Sequence, residues 1–198
     1  MMPWEERVIA SYFRPSSSLL VAAAGGGREA IALARSGYRV DGFDCTSQLV
    51  EGYRRLMARE KLLGKVDWAA AGSVPAEIGE SYDGLLIGFG GYMHIPGRRN
   101  RVRFLHSLRR RVAAGAPLLL SFLIRSGPSR YFAWIYAVAH RLRTLRRSPY
   151  PVEYGDSLSM TFRHHFTEEE IQAELAESGF ELLEYREFPH GHAVARAV

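Results

Sequence analysis

The sequence predicts an α/β fold: a seven-stranded, mostly parallel sheet with helices on both faces, a C-terminal antiparallel hairpin and a helical insertion after strand five. Three observations predict it. Short apolar runs alternate with stretches of helical period through residue 124, as in parallel strands joined by crossover helices. The last two apolar runs are separated only by Pro189-His190-Gly191, too short for a crossover, so they pair antiparallel. Between these regions, residues 126–165 carry an aromatic and then basic helical segment that interrupts the alternation. At 198 residues the chain fits one domain, 1–198, able to bury a core without disulfides or metals.

Each element has a local justification. Residues 3–13 read as a short helix with Val8, Ile9, Tyr12 and Phe13 on its apolar side. Residues 19–23 are apolar throughout, a buried strand, and run into Gly25-Gly26-Gly27. The helix of residues 28–36 has Ala30, Leu33 and Ala34 as its inner stripe and Gly37 as its stop. Residues 39–43 form the second strand, ending at Asp44, and Thr46 is placed to cap the next helix through Leu49, Val50, Tyr53, Leu56 and Met57.

Residues 66–70 and 82–89 are strands three and four. A helix over 96–114 begins on Pro96, where a missing N–H costs no hydrogen bond, and turns Val102, Leu105, Leu108 and Val112 inward. Residues 116–124 are the fifth strand and 128–147 the inserted helix, ended by Ser148-Pro149-Tyr150-Pro151. Thr167 with Glu170 is a capping box for the last helix, which Gly179 stops. Residues 180–188 and 192–198 form the terminal hairpin.

Composition excludes several classes. One cysteine, Cys45, allows no internal disulfide and no Cys-rich zinc site, and no metal is expected. No apolar run reaches the ~20 residues of a membrane span, and Trp4-Glu5-Glu6-Arg7 breaks up any signal peptide, so a soluble, cytoplasmic protein is the expectation. The net charge is +5, and of the 26 basic residues only Lys61 and Lys65 are lysines. That balance suits an anionic partner. The clusters Arg98-Arg99, Arg101, Arg103 and Arg109-Arg110-Arg111 fit phosphate contact, but they lie along one helix, where a solvated face explains them, and no RNA-binding appendage is visible.

A strand, a glycine turn and a helix make a candidate cofactor site: glycines let a ligand approach the main chain, and the helix N-terminus offers free N–H groups. Asp44 ends the next strand, where a carboxylate accepts both hydrogen bonds of a ribose diol. Gly25-x-Gly27-x-x-Ala30 with Asp44 also fits the dinucleotide fingerprint, so an NAD-dependent oxidoreductase is one alternative. The short chain and the terminal hairpin argue against it.

These segments resemble the class I S-adenosylmethionine-dependent methyltransferases, a Rossmann-like family, over residues 19–124 and 166–198. The carriers are Leu19-Leu20-Val21-Ala22-Ala23-Ala24-Gly25-Gly26-Gly27-Arg28-Glu29, Gly37-Tyr38-Arg39-Val40-Asp41-Gly42-Phe43-Asp44, Tyr82-Asp83-Gly84-Leu85-Leu86-Ile87 and Gly179-Phe180-Glu181-Leu182-Leu183-Glu184. Two positions depart from the family pattern: Val21 replaces its usual acid, and Ala23 its first glycine. A non-catalytic S-adenosylmethionine-binding protein is therefore a second alternative.

The resemblance implies methyl transfer from S-adenosylmethionine, leaving S-adenosylhomocysteine. It implies that Ala23, Gly25 and Gly27 line the methionine portion, Asp44 holds the ribose, and Cys45, Ser73 and Val74 lie by the adenine. Gly88, Phe89 and Gly90 would pass under the cofactor, and Tyr12 either covers it or packs in the core. Methyl transfer from a sulfonium needs orientation above all, with a base where the acceptor carries a proton. No Pro-Pro pair follows strand four and no cysteine stands there, which removes the amino-methylating nucleic-acid enzymes and cytosine C5 methylation. A small-molecule acceptor, methylated on oxygen or nitrogen, is the expectation.

Tyr92 and His94 follow strand four, at the crevice, as candidate catalytic residues. His94 is either a general base or a cap and pocket wall. His164 and His165 face the same opening or divide between core and solvent, because adjacent residues of an extended chain point apart. Tyr131, Trp134 and Ile135, with Phe132, Tyr136 and Val138, form an aromatic helix followed by Arg141, Arg143, Arg146 and Arg147. It reads as a lid binding an apolar or aromatic acceptor with an acidic group, as a homodimer or packing helix, or as an interfacial membrane helix.

Overall fold

A computed structural model describes residues 1–79, 81–146, 152–158 and 161–198. The first strand, β1 (Ser18–Ala22), lies between β2 (Arg39–Asp44) and β4 (Gly84–Ile87), all parallel. β3 (Val66–Trp68) pairs with β2 at one edge, and β5 (Pro117–Ile124) with β4 on the other side. The hairpin of β8 (Phe180–Arg186) and β9 (Gly191–Ala197) adds antiparallel to β5, giving the order 3-2-1-4-5-9-8. All seven expected strands are present. Their ends differ most at strand four, where Tyr82 makes only an isolated bridge to Val112.

The strand period of two divides the core into two layers. Leu20, Ala22, Leu85, Ile87, Leu118, Leu120, Ala193 and Ala195 face the layer packed by α4 (Arg98–Arg109) and α6 (Glu168–Glu177). Leu19, Val21, Val40, Leu86, Leu119 and Val194 face α1 (Pro3–Tyr12), α2 (Arg28–Arg35) and α3 (Ser47–Glu60). Continuous apolar runs in the sequence thus reflect strands covered on both sides.

Local stops work largely as the residues dictate. Thr167 accepts from the Glu170 N–H, and the Glu170 carboxylate accepts from the Thr167 N–H. Two expectations are corrected. Thr46 holds the N-cap position of α3 but its hydroxyl caps nothing; its own N–H is drawn to Asp44 instead. Pro96 precedes α4, which starts after Gly97 at φ 81°, a conformation proline's fixed negative φ excludes.

The insertion is not wholly helical. It holds α5 (Arg130–Arg146) and then β6 (Asp156–Leu158), which pairs antiparallel with β7 (Phe162–Phe166). β7 extends the sheet by pairing parallel with Leu123 and Ile124 at the end of β5. Arg147 and the expected helix stop through Pro151 lie outside the described residues.

Candidate functional site

β1 ends at Ala22 and the chain enters the turn through Ala23, at φ 50°. A left-handed alanine costs about 1–2 kcal/mol, so a glycine would sit here without strain. Gly27, at φ 85°, is the N-cap of α2, and a Cβ there would lie 2.4 Å from the Tyr53 ring. A Cβ on Gly25 or Gly26 would meet nothing within 4 Å, so the outer side of the turn is open to a ligand.

Asp44 closes the turn. Its Oδ2 accepts from the Gly25 N–H at 2.8 Å and its Oδ1 from the Thr46 N–H at 2.8 Å. Each oxygen is fixed by one bond and keeps a second acceptor position, the geometry a ribose diol requires. The side chain is buried, yet it forms part of the wall of a cavity of about 610 Å³. Phe43, Ala69, Ala70, Ile95 and Phe104 give that cavity flat apolar walls, and Ser73, His94, Asn100 and Arg103 give it polar edges. Ala23, Cys45, Ala71, Gly72, Gly91 and Pro96 complete it.

A second, smaller cavity of about 250 Å³ lies beyond the end of β4. Its walls are mostly apolar, among them Phe89, Met93, Ile124 and Pro189, with Glu187 and His190 as its titratable groups. Neighbouring residues divide between the two cavities: Gly91 and His94 face the large one, Gly90 and Met93 the small one. The Ser121 hydroxyl accepts from the Gly90 N–H at 2.9 Å and fixes this partition to β5.

The structure brings Ala23, Asp44, Cys45, Ser73 and His94 together in the large cavity, with Gly25 reaching it through its bond to Asp44. Val74 lies with Ser73 in an adjoining basic recess walled by Arg103, Arg110 and Arg111. Phe89 and Gly90 face the small cavity, while Gly88 packs so closely on the Ala23 carbonyl that a Cβ would come within 2.2 Å of it. His94 is exposed, and its Nδ1 lies 2.8 Å from the Phe162 carbonyl. A carbonyl only accepts, so Nδ1 carries a proton.

Other expected residues are elsewhere. Tyr92 is completely buried, stacks on Phe166 and donates its hydroxyl to Glu174; burial and the Glu174 charge push its pKa well up, so it reaches no ligand. Tyr12 donates to Glu184 at 2.6 Å and lines neither cavity. Tyr131 and Trp134 point into solvent, at 60% and 67% exposure, and with Ile135 they line neither cavity. α5 is therefore no lid over this cleft. It rests through Phe132 and Tyr136 on Tyr154 and His165.

His164 and His165 do divide as alternate strand residues. His164 is buried edge-on to Phe166, and its Nδ1 is 2.7 Å from Asp156; His165 is half-buried against Phe132. Burial opposes charge on His164, but its bond to Asp156 and the Glu170 carboxylate 3.8 Å away prevail and raise its pKa above 6.5. Burial lowers that of His165.

Sequence reasoning missed two charge clusters. Arg101, 1% exposed, is held by Glu174 at 2.6 Å and Glu153 at 2.9 Å. Glu153, Asp156 and His164 lie close enough together to enclose a cation, and Glu153 also pairs with the Arg101 guanidinium. The second cluster adjoins the glycine turn. Arg28 bridges Glu5 of α1 and Glu29 of α2, and Glu29 accepts from the Phe89 N–H at 2.8 Å. Glu29 thereby ties the turn to the end of β4, where Val21 offers no acid. The spacing of Arg28-Glu29 after three glycines was the available signal.

No protein-family model and no curated protein sequence matches the chain. Solved structures do. A S-adenosylmethionine-dependent methyltransferase from Methanosarcina mazei superposes with a TM-score of 0.79 at 20% identity, covering 100% of this chain and 98% of the other. The 1,6-didemethyltoxoflavin-N1-methyltransferase of Burkholderia thailandensis, with S-adenosylhomocysteine bound, gives 0.70 at 18%, covering 99% and 77%. The magnesium protoporphyrin IX methyltransferase of Synechocystis, with S-adenosylhomocysteine bound, gives 0.65 at 17%, covering 98% and 80%. The chain has the fold of the class I S-adenosylmethionine-dependent methyltransferases.

Proposed function

We propose that this protein transfers a methyl group from S-adenosylmethionine to a small-molecule acceptor. The observation that carries this reading is Asp44: a buried carboxylate at the end of β2, fixed by one N–H on each oxygen and bordering a cavity with flat apolar walls. The open side of Gly25 and Gly26 fits the same ligand. When bound, the sulfonium supplies an already activated methyl group.

The chain's own residues then position and exclude. Asp44 would hold the ribose, and Phe43, Ala69, Ala70 and Phe104 would hold the adenine. Residues 88–91 would hold the methyl-bearing end at the partition, and Phe89, Met93 and Ile124 of the small cavity would hold the acceptor. His94, with Nδ1–H held by Phe162, lies on the large-cavity side of the partition and would border the cofactor rather than the acceptor. The order 3-2-1-4-5-9-8, with β9 antiparallel, favours this over a dinucleotide enzyme, whose sheet continues in parallel. Calorimetric titration with S-adenosylmethionine, S-adenosylhomocysteine and NAD tests it: binding of the first two and not the third is expected. Binding of NAD alone, or of none, overturns it.

A further inference from the structure

The exposed side chains of α5 are not scattered. Tyr131, Trp134, Val138, Leu142 and Leu145 recur at helical spacing and form one stripe along the whole helix, all open to solvent. The opposite side, through Phe132 and Tyr136, is the one packed on the domain. A helix whose broadest apolar face points outward is unpartnered in the isolated chain. Its 17 residues extend about 25 Å, and no described helix is long and apolar enough to cross a membrane.

The charge around the stripe selects its partner. α5 itself carries Arg130, Arg141, Arg143 and Arg146 and no aspartate or glutamate. Arg130 and Arg141 are exposed on one flank of the stripe, and Trp134 and Tyr131 are the amphipathic aromatics that favour a headgroup region. A second copy laid on this face would bring two arginine-rich, acid-free helices together. An anionic surface with an apolar interior beneath it satisfies both the stripe and its charges.

We infer that α5 is an interfacial anchor that lies in the plane of an anionic lipid bilayer, burying Tyr131, Trp134, Val138, Leu142 and Leu145 among the headgroups and acyl chains. The placement has a consequence for the small cavity. α5 rests on His165, and His165 pairs with Leu123 in the sheet; Leu123 and Ile124 line that cavity. Docking through α5 sets the small cavity beside the bilayer, the place from which an apolar molecule is supplied.

The test is co-sedimentation of the full chain with vesicles of phosphatidylcholine alone and of phosphatidylcholine mixed with phosphatidylglycerol. Binding is expected only to the mixed vesicles and is expected to weaken with salt. The double variant Leu142→Ser, Leu145→Ser should lose about tenfold or more in partitioning, and Arg130→Ala, Arg141→Ala about fivefold for each arginine. All four side chains are exposed, so both variants should keep the parent's thermal midpoint and S-adenosylhomocysteine affinity, which separates this inference from the catalytic one. No binding to mixed vesicles overturns it, as does equal binding of parent and variants or equal binding to both vesicle types. Sedimentation equilibrium supplies the rival outcome: a dimer that Leu142→Ser, Leu145→Ser dissociates would show that a second copy covers the stripe.

Discussion

The cleft at the glycine turn and the insertion are built from groups separated by very different lengths of chain. In the cleft, Gly25 and Asp44 are 19 residues apart, and Asp44 and Thr46 two. The insertion is tied to the domain through Glu153 and Arg101, and Arg101 is held in turn by Glu174, 73 residues away. The first depends on backbone N–H groups presented by a turn, the second on buried ion pairs between α4, α6 and the segment leading into β6. A turn of this kind tolerates change in its neighbours. A buried arginine does not tolerate loss of its acid.

The sharpest way to break this contrast is at Glu174. Glu174→Ala leaves Arg101 and the Tyr92 hydroxyl buried without their main partner, and an expected loss of about 3–5 kcal/mol follows. Chemical denaturation measures it; a loss below about 1 kcal/mol would show that the pair is not what holds α4 to α6.

A smaller effect is expected at His164. Its folded-state pKa is raised above 6.5, so its protonated form is favoured by folding. The contribution is complete below 6.5 and is lost as pH rises through the raised value. Stability of the parent should therefore fall over that window, and His164→Asn should flatten the slope there while leaving the cleft's ligand affinity unchanged. An unaltered slope would place the titration on another group.

The smallest effect is expected in the cleft itself. Ala23→Gly removes left-handed strain at φ 50° and should stabilise the protein by up to about 1 kcal/mol, after the entropy cost of glycine. A destabilised variant would show that the Ala23 methyl, which approaches Gly91, contributes more by packing than its backbone costs.

The same contrast explains what was legible in the sequence. The glycine turn, Asp44, the Thr167–Glu170 box and the terminal hairpin depend on residues close along the chain, and each could be read. Tyr92 looked available because it follows strand four, but its fate is set by Glu174, 82 residues away. The aromatic run of α5 carried its period plainly, yet which side faces the protein depends on Tyr154 and His165. β6 and β7 were missed because Arg163, His164 and His165 interrupt apolar alternation, and the burial of His164 rests on its pairing with Asp156 rather than on hydrophobicity. Glu29 and Glu5, which hold Arg28 beside the turn, could not be read together because they come from helices that meet only in the fold.

The account turns on Asp44 holding a ribose. Isothermal titration of Asp44→Asn with S-adenosylhomocysteine tests this most directly, with the thermal midpoint as a check on the turn. Asparagine keeps the shape but loses the charge and half the acceptor capacity. Affinity about tenfold or more below the parent's is expected, the value of a charged hydrogen bond. Affinity within about twofold of the parent's, in a variant that melts like the parent, would contradict it.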